Sequence, residues 1–274
     1  NIRETDALIH VLRCFKDDNI IHVDGFVDPV RDKETIEMEL QLKDLETVDK
    51  RLEKAIRSAR TGNKVAVKEK ELLEKLKSGL EAAIDVRSIV FNKIDREDFI
   101  KPLQLITDKP VLYVCNVDER SVKDGNEYVE QVKKAVHNEK LDLLVLGVSI
   151  ESEINELESF KERKLFLEDL SLNESGGTKL IRLAYKMLNQ QTYFTAGKKE
   201  VRAWTIPIGT FAPKAAGIIH SDFENGFIRA EVISFQDYIK YGSEVKVKEA
   251  GKMRIEGKDY IVQDGDVIHY RFNI

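Results

Sequence analysis

At 274 residues the chain is too long for one compact domain to be the default, so two or three domains are expected. A formal net charge of -5 gives no global basic excess that would indicate nucleic-acid binding, although it leaves room for a local basic patch. The 34% of charged residues indicate much exposed helix. No apolar run approaches a membrane span and no basic-then-apolar leader opens the chain, so a cytoplasmic protein without a membrane partner is expected.

Three apolar runs in the first half of the chain are rich in β-forming residues. They lie at Ala7 to Phe15, Lys109 to Asp118 and Leu141 to Ile150. Each is nearly continuous in apolar residues, which is typical of strands buried on both faces of a parallel α/β sheet. Tyr128 to Val136 has helical spacing between the second and third runs, so a strand–helix–strand unit is predicted there.

The two cysteines, Cys14 and Cys115, lie far apart in sequence, each inside one of these apolar runs. This placement favours reduced core residues over a disulfide framework. Together with five histidines they show no metal-ligand spacing, so no metal site is expected from these residues.

Residues 33–106 differ from their surroundings. Apolar residues recur every three or four positions at Leu45, Val48, Leu52, Ala55 and Ala59, and again at Leu73, Leu76, Leu80 and Ala83. Thr61-Gly62-Asn63 interrupts the pattern, so two long antiparallel helices joined by a turn are predicted. The charge pattern alone favours a stabilising insert over an arm that contacts a partner. This helical insertion divides the α/β domain into residues 1–32 and 107–190.

Residues 191–274 are predicted to form a small α+β domain with a mixed sheet. Strand-like segments lie at 201–206, 226–234, 253–262 and 266–272, with short helices at 213–220 and 234–242. Trp204 lies in a strand pattern and is expected in the core. The segment holds 12 Lys and Arg against 11 Asp and Glu, which does not distinguish RNA binding from ordinary solubility.

Two loops are candidates for reading a nucleotide base, which requires a position at the carboxyl end of a buried parallel strand. Asn92-Lys93-Ile94-Asp95 matches the Asn-Lys-x-Asp pattern of guanine readers but follows the tail of a helix. It is interpreted as a linker in which Asp95 caps the next helix.

The second candidate, Asn116-Val117-Asp118-Glu119, follows the apolar strand directly. Glu119 holds the place of the Asp that accepts hydrogen bonds from guanine, so the loop is not built for guanine. The Asn116 side-chain oxygen is expected to meet the exocyclic amine of adenine, with Val117 packed on the base. An ordinary turn at the end of a strand is the alternative.

The chain resembles the YchF family, also called the Obg-like ATPases, over essentially its whole length. The motifs that carry the resemblance are NIRETDALIHVLRCF, PVLYVCNVDE, QTYFTAGKKEVRAWTI, AAGIIHSDFENGFIRAEVIS and EGKDYIVQDGDVIHYRFN. The resemblance implies a P-loop G domain interrupted by a coiled-coil arm and followed by a β-grasp TGS domain. It also implies an Asn-x-x-Glu base loop with ATP preferred over GTP.

The resemblance further implies segments that these 274 residues do not contain. The family's phosphate-binding loop, switch region and Mg²⁺-holding loop precede the position of Asn1. No Gly-x-x-x-x-Gly-Lys-Ser/Thr pattern occurs in the chain. The G domain is therefore expected to be partial. The chain alone is expected to bind ATP poorly and not to hydrolyse it.

Further site residues carry over from the family. Ser149 and Ile150 match a second base loop, although Ile150 and Glu151 depart from its usual ending. His22 matches a histidine that replaces the water-orienting Gln of Ras-like enzymes, whereas a plain surface histidine is the alternative. Gly176 and Gly177, in ESGGTKL, follow helix-like sequence, so a turn between helices is predicted rather than a phosphate loop.

The family implies a monomeric switch protein whose partners are ATP or ADP and the ribosome or its subunits, with ribosomal RNA as one candidate contact. Hydrolysis would change how the arm and the TGS domain engage the ribosome. A non-catalytic ribosome- or RNA-binding module, in which nucleotide is only a structural ligand, is the alternative.

Overall fold

The computed structural model describes residues 2–139, 141–197 and 200–273. They belong to two compact units, Asn1–Ala184 and Tyr185–Ile274. The boundary between the units falls inside the helix Gly176–Met187, earlier than the boundary at residue 190 that the sequence predicted. None of the described helices is both long enough and apolar enough to cross a bilayer.

The first unit contains a three-stranded parallel sheet in the order β1-β2-β3. The strands are β1 Leu8–Arg13, β2 Val111–Asn116 and β3 Leu143–Leu146. The central strand β2 is buried from Val111 to Cys115, as predicted. The prediction that both faces of β1 are buried is wrong, since Ile9 and Val11 are exposed. β1 is an edge strand, and no element in the described part of the chain covers the face that carries these two residues.

Seven α-helices are described in or starting in this unit, besides shorter 3-10 and π turns. They are α1 Pro29–Ala59, α2 Lys64–Glu81, α3 Lys93–Asp95, α4 Glu127–Val136, α5 Val148–Glu156, α6 Phe160–Asp169 and α7 Gly176–Met187. The predicted strand Leu141 to Ile150 is therefore too long, because the helix α5 begins at Val148. The turn predicted around ESGGTKL lies between α6 and α7, with both glycines already in α7.

Helices α1 and α2 form the predicted hairpin. Asp28 caps α1 by accepting a hydrogen bond from the Arg31 amide, and Asn63 caps α2. A single apolar stripe from each helix is buried between them, which stabilises the pair in spite of its many charges. The stripe comprises Val48, Leu52, Ala55, Leu72, Leu73, Leu76 and Leu80.

Buried polar contacts fix the base of the hairpin to the segments that lead into β2 and β3. The Asp44 carboxylate is fully buried and accepts hydrogen bonds from the amides of Ile106 and Thr107 at 2.9 and 2.7 Å. The Lys33 ammonium lies 2.8 Å from Glu37 and 2.9 Å from Glu139. A charge removed from water at this depth needs such partners, so these contacts hold the hairpin base in one geometry.

The segment Asn92-Lys93-Ile94-Asp95 connects the hairpin to the sheet, but the expected cap is wrong. The Asn92 side chain is the cap and accepts a hydrogen bond from the Asp95 amide at 2.8 Å. Asp95 lies inside the helical turn, buried and paired with Lys68 at 3.0 Å. The N-cap is therefore Asn92, three residues before the predicted Asp95.

The second unit has a five-stranded mixed sheet in the order β5-β4-β8-β6-β7. Its strands are β4 Gln190–Ala196, β5 Val201–Pro207, β6 Phe227–Ile233, β7 Arg254–Glu256 and β8 Val267–Phe272. Its helices are α8 Ala212–Ile219, α9 Ser221–Asn225, α10 Phe235–Tyr241 and α11 Glu244–Glu249.

The core of the second unit lies between the sheet and α8. Tyr193, Ile206 and Ile268 from the sheet meet Ala212 and Ala215 from the helix. Trp204 is half-buried at the edge of this core, and its indole N–H donates to the Thr195 hydroxyl at 2.9 Å. The Arg202 guanidinium lies 4.1 Å from the centre of its ring, so the predicted core position is confirmed only in part. The strand β4 was not predicted.

Candidate functional site

The loops that follow β2 and β3 are joined directly at the carboxyl edge of the sheet. The Asn116 side-chain oxygen accepts a hydrogen bond from the Val148 amide at 3.0 Å. The Val117 amide donates to the Leu146 carbonyl at 2.9 Å. The two candidate base loops therefore lie side by side, at the edge where nucleotides bind in open α/β sheets.

Gly147 allows this close approach. A Cβ at this position would lie 2.8 Å from a Val122 methyl group and 3.4 Å from the Val117 carbonyl oxygen. The first distance is shorter than a carbon–carbon contact tolerates, so a larger residue would push the β3–α5 loop away from the β2 loop.

Asn116 has a different orientation from the one we expected. Its oxygen is occupied by the Val148 amide, so it is not the group that meets an adenine amine. In the described part of the chain its Nδ2 has no hydrogen-bond acceptor. Nδ2 is thus the atom that is free to donate to a base, and ring nitrogens of purines are acceptors.

The other candidate residues of these loops fall into two groups. Val117 and Ile150 are each only 2% exposed, so their side chains are buried, and the expected packing of the Val117 side chain on a base does not agree with this placement. Glu119 and Ser149 are exposed. Glu119 opens a short 3-10 turn that Asp118 caps, and among the described residues its carboxylate has no cationic partner.

Glu151 contributes a contact that we did not predict. Its two carboxylate oxygens accept hydrogen bonds from the amides of Gly176 and Gly177 at 2.6 and 2.9 Å. An anion at a helix N-terminus is favourable, so this carboxylate locks the start of α7 onto α5. The paired glycines at a helix start were the available signal in the sequence.

Two buried thiols lie beneath the base loops. Cys14 follows β1, and Cys115 directly precedes Asn116. A hydrogen bond to Cys115 and burial both raise the pKa of Cys14, so it remains a thiol. Both cysteines are free, as predicted, and they serve as core residues.

His22 lies in the loop between β1 and α1. Its Nε2 is 2.9 Å from an Asp32 carboxylate oxygen, and its Nδ1 accepts a hydrogen bond from the Asp24 amide at 3.2 Å. This pattern places the ring proton on Nε2, donating to Asp32 in the first turn of α1. Within the described ranges, both ring nitrogens are engaged by the loop and the hairpin, and neither contacts the base loops.

His22, Asp24 and Asp32 together could be read as a cation site, since their ligand atoms lie within 4.8 Å of one another. The Arg31 guanidinium, however, lies 3.3 Å from Asp24 and 3.1 Å from Asp32. Mg²⁺ prefers oxygen ligands and several waters, whereas this set includes an imidazole and carboxylates already paired with a cation. These residues therefore do not fit Mg²⁺.

The parallel sheet and the loops paired at its carboxyl edge place the first unit in the α/β class of proteins, which bind ligands at that edge. A YchF GTPase structure from Schizosaccharomyces pombe matches 98% of this chain and 73% of its own, with a TM-score of 0.85 and 36% identity. The family described as YchF-GTPase_C, a protein of unknown function, matches residues 190–273.

Sequence relatives agree with the structural match. The chain is 50% identical to the "Ribosome-binding ATPase YchF" of Bacillus subtilis and 49% identical to that of Haemophilus ducreyi, in each case over 100% of this chain and 75% of the relative. The chain belongs to the YchF family.

Proposed function

We propose that this chain is part of a nucleotide-dependent switch protein that binds and hydrolyses ATP in preference to GTP and associates with the ribosome. The relatives named above are ribosome-binding ATPases, which supports both the activity and the partner. The observation that carries the choice of nucleotide is Glu119, exposed and without a cationic partner in the described structure, at the end of the base loop.

The base preference follows from hydrogen-bond chemistry. An Asn116 Nδ2 donor suits a purine ring nitrogen in either base and does not discriminate between them. Guanine presents two further donors, N1–H and the C2 amine. A short carboxylate at the fourth loop position would accept hydrogen bonds from both. Glu119 is one methylene longer than Asp at this position, so the acceptor geometry for guanine is changed. Ser149 and the backbone of Ile150, in the neighbouring loop, are proposed to contact the base as well.

His22 is our proposed catalytic residue. Its imidazole orients a water for attack once it is released from Asp32, because both nitrogens are engaged in the present arrangement. The phosphate cradle and the Mg²⁺ ligands are proposed to lie upstream of residue 1, since the chain contains no P-loop pattern and the His22 cluster does not fit the ion.

The remaining parts are proposed to engage the partner. We assign the hairpin of residues 33–106 as the coiled-coil arm and residues 191–274 as a TGS domain of the β-grasp type. The central β8 strand, parallel to β4 and flanked by antiparallel pairs, supports the second assignment. We propose a cytoplasmic monomer.

Isothermal titration of ATP and GTP tests the proposal, in a version that carries the phosphate-binding segment expected upstream. ATP should bind more tightly, and equal affinities would remove the argument from the base loop. The 274 residues alone should bind weakly and show no turnover.

A non-catalytic binding module is the second candidate. It is favoured by the engagement of both His22 nitrogens, which leaves the imidazole without a free atom for catalysis in the described arrangement. Ribosome co-sedimentation in the presence of ATP, ADP and no nucleotide separates the two functions. A switch changes its ribosome occupancy between nucleotides, whereas a simple module does not.

A further inference from the structure

Charge is strongly segregated along the hairpin. Residues 50–70, at its distal end, contain eight Lys and Arg against two Glu, a balance of +6. Residues 29–49 contain three basic against seven acidic residues, and residues 71–85 contain two against four. The distal end is therefore a positive pole on a chain whose net charge is -5.

Five exposed cations at this end form what we call the distal basic patch. They are Lys50, Lys54, Arg57, Arg60 and Lys64. Lys50, Lys54 and Arg57 are spaced by four and three residues, so they share one face of α1. That face points away from the buried stripe at Val48 and Leu52, because positions two residues apart lie on nearly opposite sides of a helix.

The patch is distinguished by how few of its cations have a close counter-charge. Its closest ion pair is Arg57 with Glu53 at 3.5 Å, between side chains that are 75% and 71% exposed. Elsewhere on the hairpin, Lys33, Lys43, Lys70 and Lys77 are paired at 3.0 Å or less. Among described residues, Lys50, Lys54, Arg60 and Lys64 have no salt-bridge partner, and the one acidic group that Lys50 influences, Glu46, is bonded to Lys43 instead. A single-sign field of this kind attracts an anionic surface.

We propose that the distal basic patch docks onto the phosphate backbone of structured RNA. Phosphate binding needs only well-placed cations, and Arg suits phosphate geometry. A protein partner would need apolar or aromatic anchors, and the face of α1 between Lys50 and Arg57 carries none. The exposed apolar residues near the tip, Val65 and Val67, belong to α2. The choice of RNA as the anion rests on the proposed ribosome association.

The geometry suits a backbone track. From Lys50 to Arg57 the helix rises about 10 Å, at 1.5 Å per residue. Long, flexible side chains over this distance can contact successive phosphates without reading bases. Binding should therefore be independent of sequence and strongly dependent on salt.

The test compares two triple variants of the 274-residue chain. The patch variant carries Lys50→Ala, Lys54→Ala and Arg57→Ala. The control carries Lys123→Ala, Lys134→Ala and Lys161→Ala, which removes three exposed cations outside the hairpin and changes net charge equally. Alanine preserves helix propensity, and circular dichroism with urea unfolding verifies that both variants fold.

Binding of a fluorescein-labelled RNA duplex is measured by anisotropy across a range of KCl concentrations. The patch variant should bind about tenfold or more weakly at low salt, and its log K against log salt slope should flatten by about 2 to 3. The control should stay close to the wild type. An equal loss in both variants would show a general charge effect and overturn the proposal.

Two further measurements separate the alternatives. If polyglutamate competes as well as unlabelled RNA of equal charge, the patch recognises acidic polymers in general and the RNA assignment is overturned. Co-sedimentation with ribosomes tests the proposed function separately. Loss of binding by the patch variant alone supports the inference, whereas failure of the wild type to co-sediment contradicts the ribosome association but not the duplex result.

Discussion

The Asn116 side chain holds the two base loops together through its 3.0 Å hydrogen bond from the Val148 amide. The same side chain offers Nδ2 to a base. One residue therefore closes the site and supplies a donor for the ligand, and substitutions can separate these two roles.

Asn116→Ala should destabilise the chain by about 1 kcal/mol, because the Val148 amide loses its acceptor. Asn116→Asp keeps an acceptor for that amide but removes the Nδ2 donor. Urea unfolding should therefore leave Asn116→Asp near the wild type, while nucleotide titration of the upstream-extended protein should show weaker binding for both variants. Equal destabilisation of the two variants would contradict the assigned orientation.

Glu119→Asp should narrow the preference for ATP over GTP, because it restores the short carboxylate that accepts from guanine. Glu119→Gln is the matched control, since it keeps the length and removes the charge. Competition titrations with both nucleotides measure the ratio. Adding Val117→Lys would complete the Asn-Lys-x-Asp pattern of guanine readers. It is unsuitable, because Val117 is only 2% exposed and a lysine there would bury a cation. If the ratio of ATP affinity to GTP affinity is unchanged in Glu119→Asp, Glu119 does not select the base.

Glu151→Ala should destabilise the first unit by about 2 kcal/mol, because two amides at the start of α7 lose a charged acceptor. Glu151→Gln keeps one acceptor oxygen and should lose less. Urea unfolding measures both losses, and hydrogen exchange at Gly176 and Gly177 reports the local effect. If the amides of Gly176 and Gly177 stay protected from hydrogen exchange in Glu151→Ala, the Glu151 carboxylate does not hold the start of α7.

His22→Ala should retain ATP binding and slow hydrolysis in the upstream-extended protein, by about a hundredfold if the imidazole acts in proton transfer or water orientation. Asp32→Ala releases the imidazole from the hairpin and tests whether the 2.9 Å contact matters. Single-turnover assays separate binding from chemistry. Turnover that is unchanged in His22→Ala would remove His22 from the mechanism.

Sequence patterns predicted the buried parallel strand β2, the helical hairpin and the loop Asn116–Glu119 at the end of β2, because each has a strong local signature. They failed where tertiary context decides. The exposed face of β1 depends on what covers an edge strand. Strand β4 reads Gln-Gln-Thr-Tyr-Phe-Thr-Ala, without apolar–polar alternation, and it buries the polar Gln191 as well as Tyr193. The burial of Val117 and the occupied oxygen of Asn116 depend on a neighbouring loop distant in sequence, so no local pattern contained them.

Burial of His10 against Tyr113 gives the stability a defined pH dependence. Burial lowers the pKa of His10 below its ordinary value of 6.5, Lys33 and Arg87 lower it further, and Glu37 opposes them. As the pH falls through 6.5, the unfolded chain gains a proton at His10 before the folded protein does. The free energy of unfolding contributed by this residue is therefore present above 6.5 and is lost as the solution becomes more acidic.

His10→Gln should flatten the fall in the free energy of unfolding below pH 6.5, even though it also removes the ring contact with Tyr113, whose centroid lies 5.7 Å away. Urea unfolding at a series of pH values measures the slope. His137→Gln, which removes an exposed histidine in the same way, is the matched control. A slope in His10→Gln equal to that of the wild type would show that protons are taken up elsewhere on unfolding.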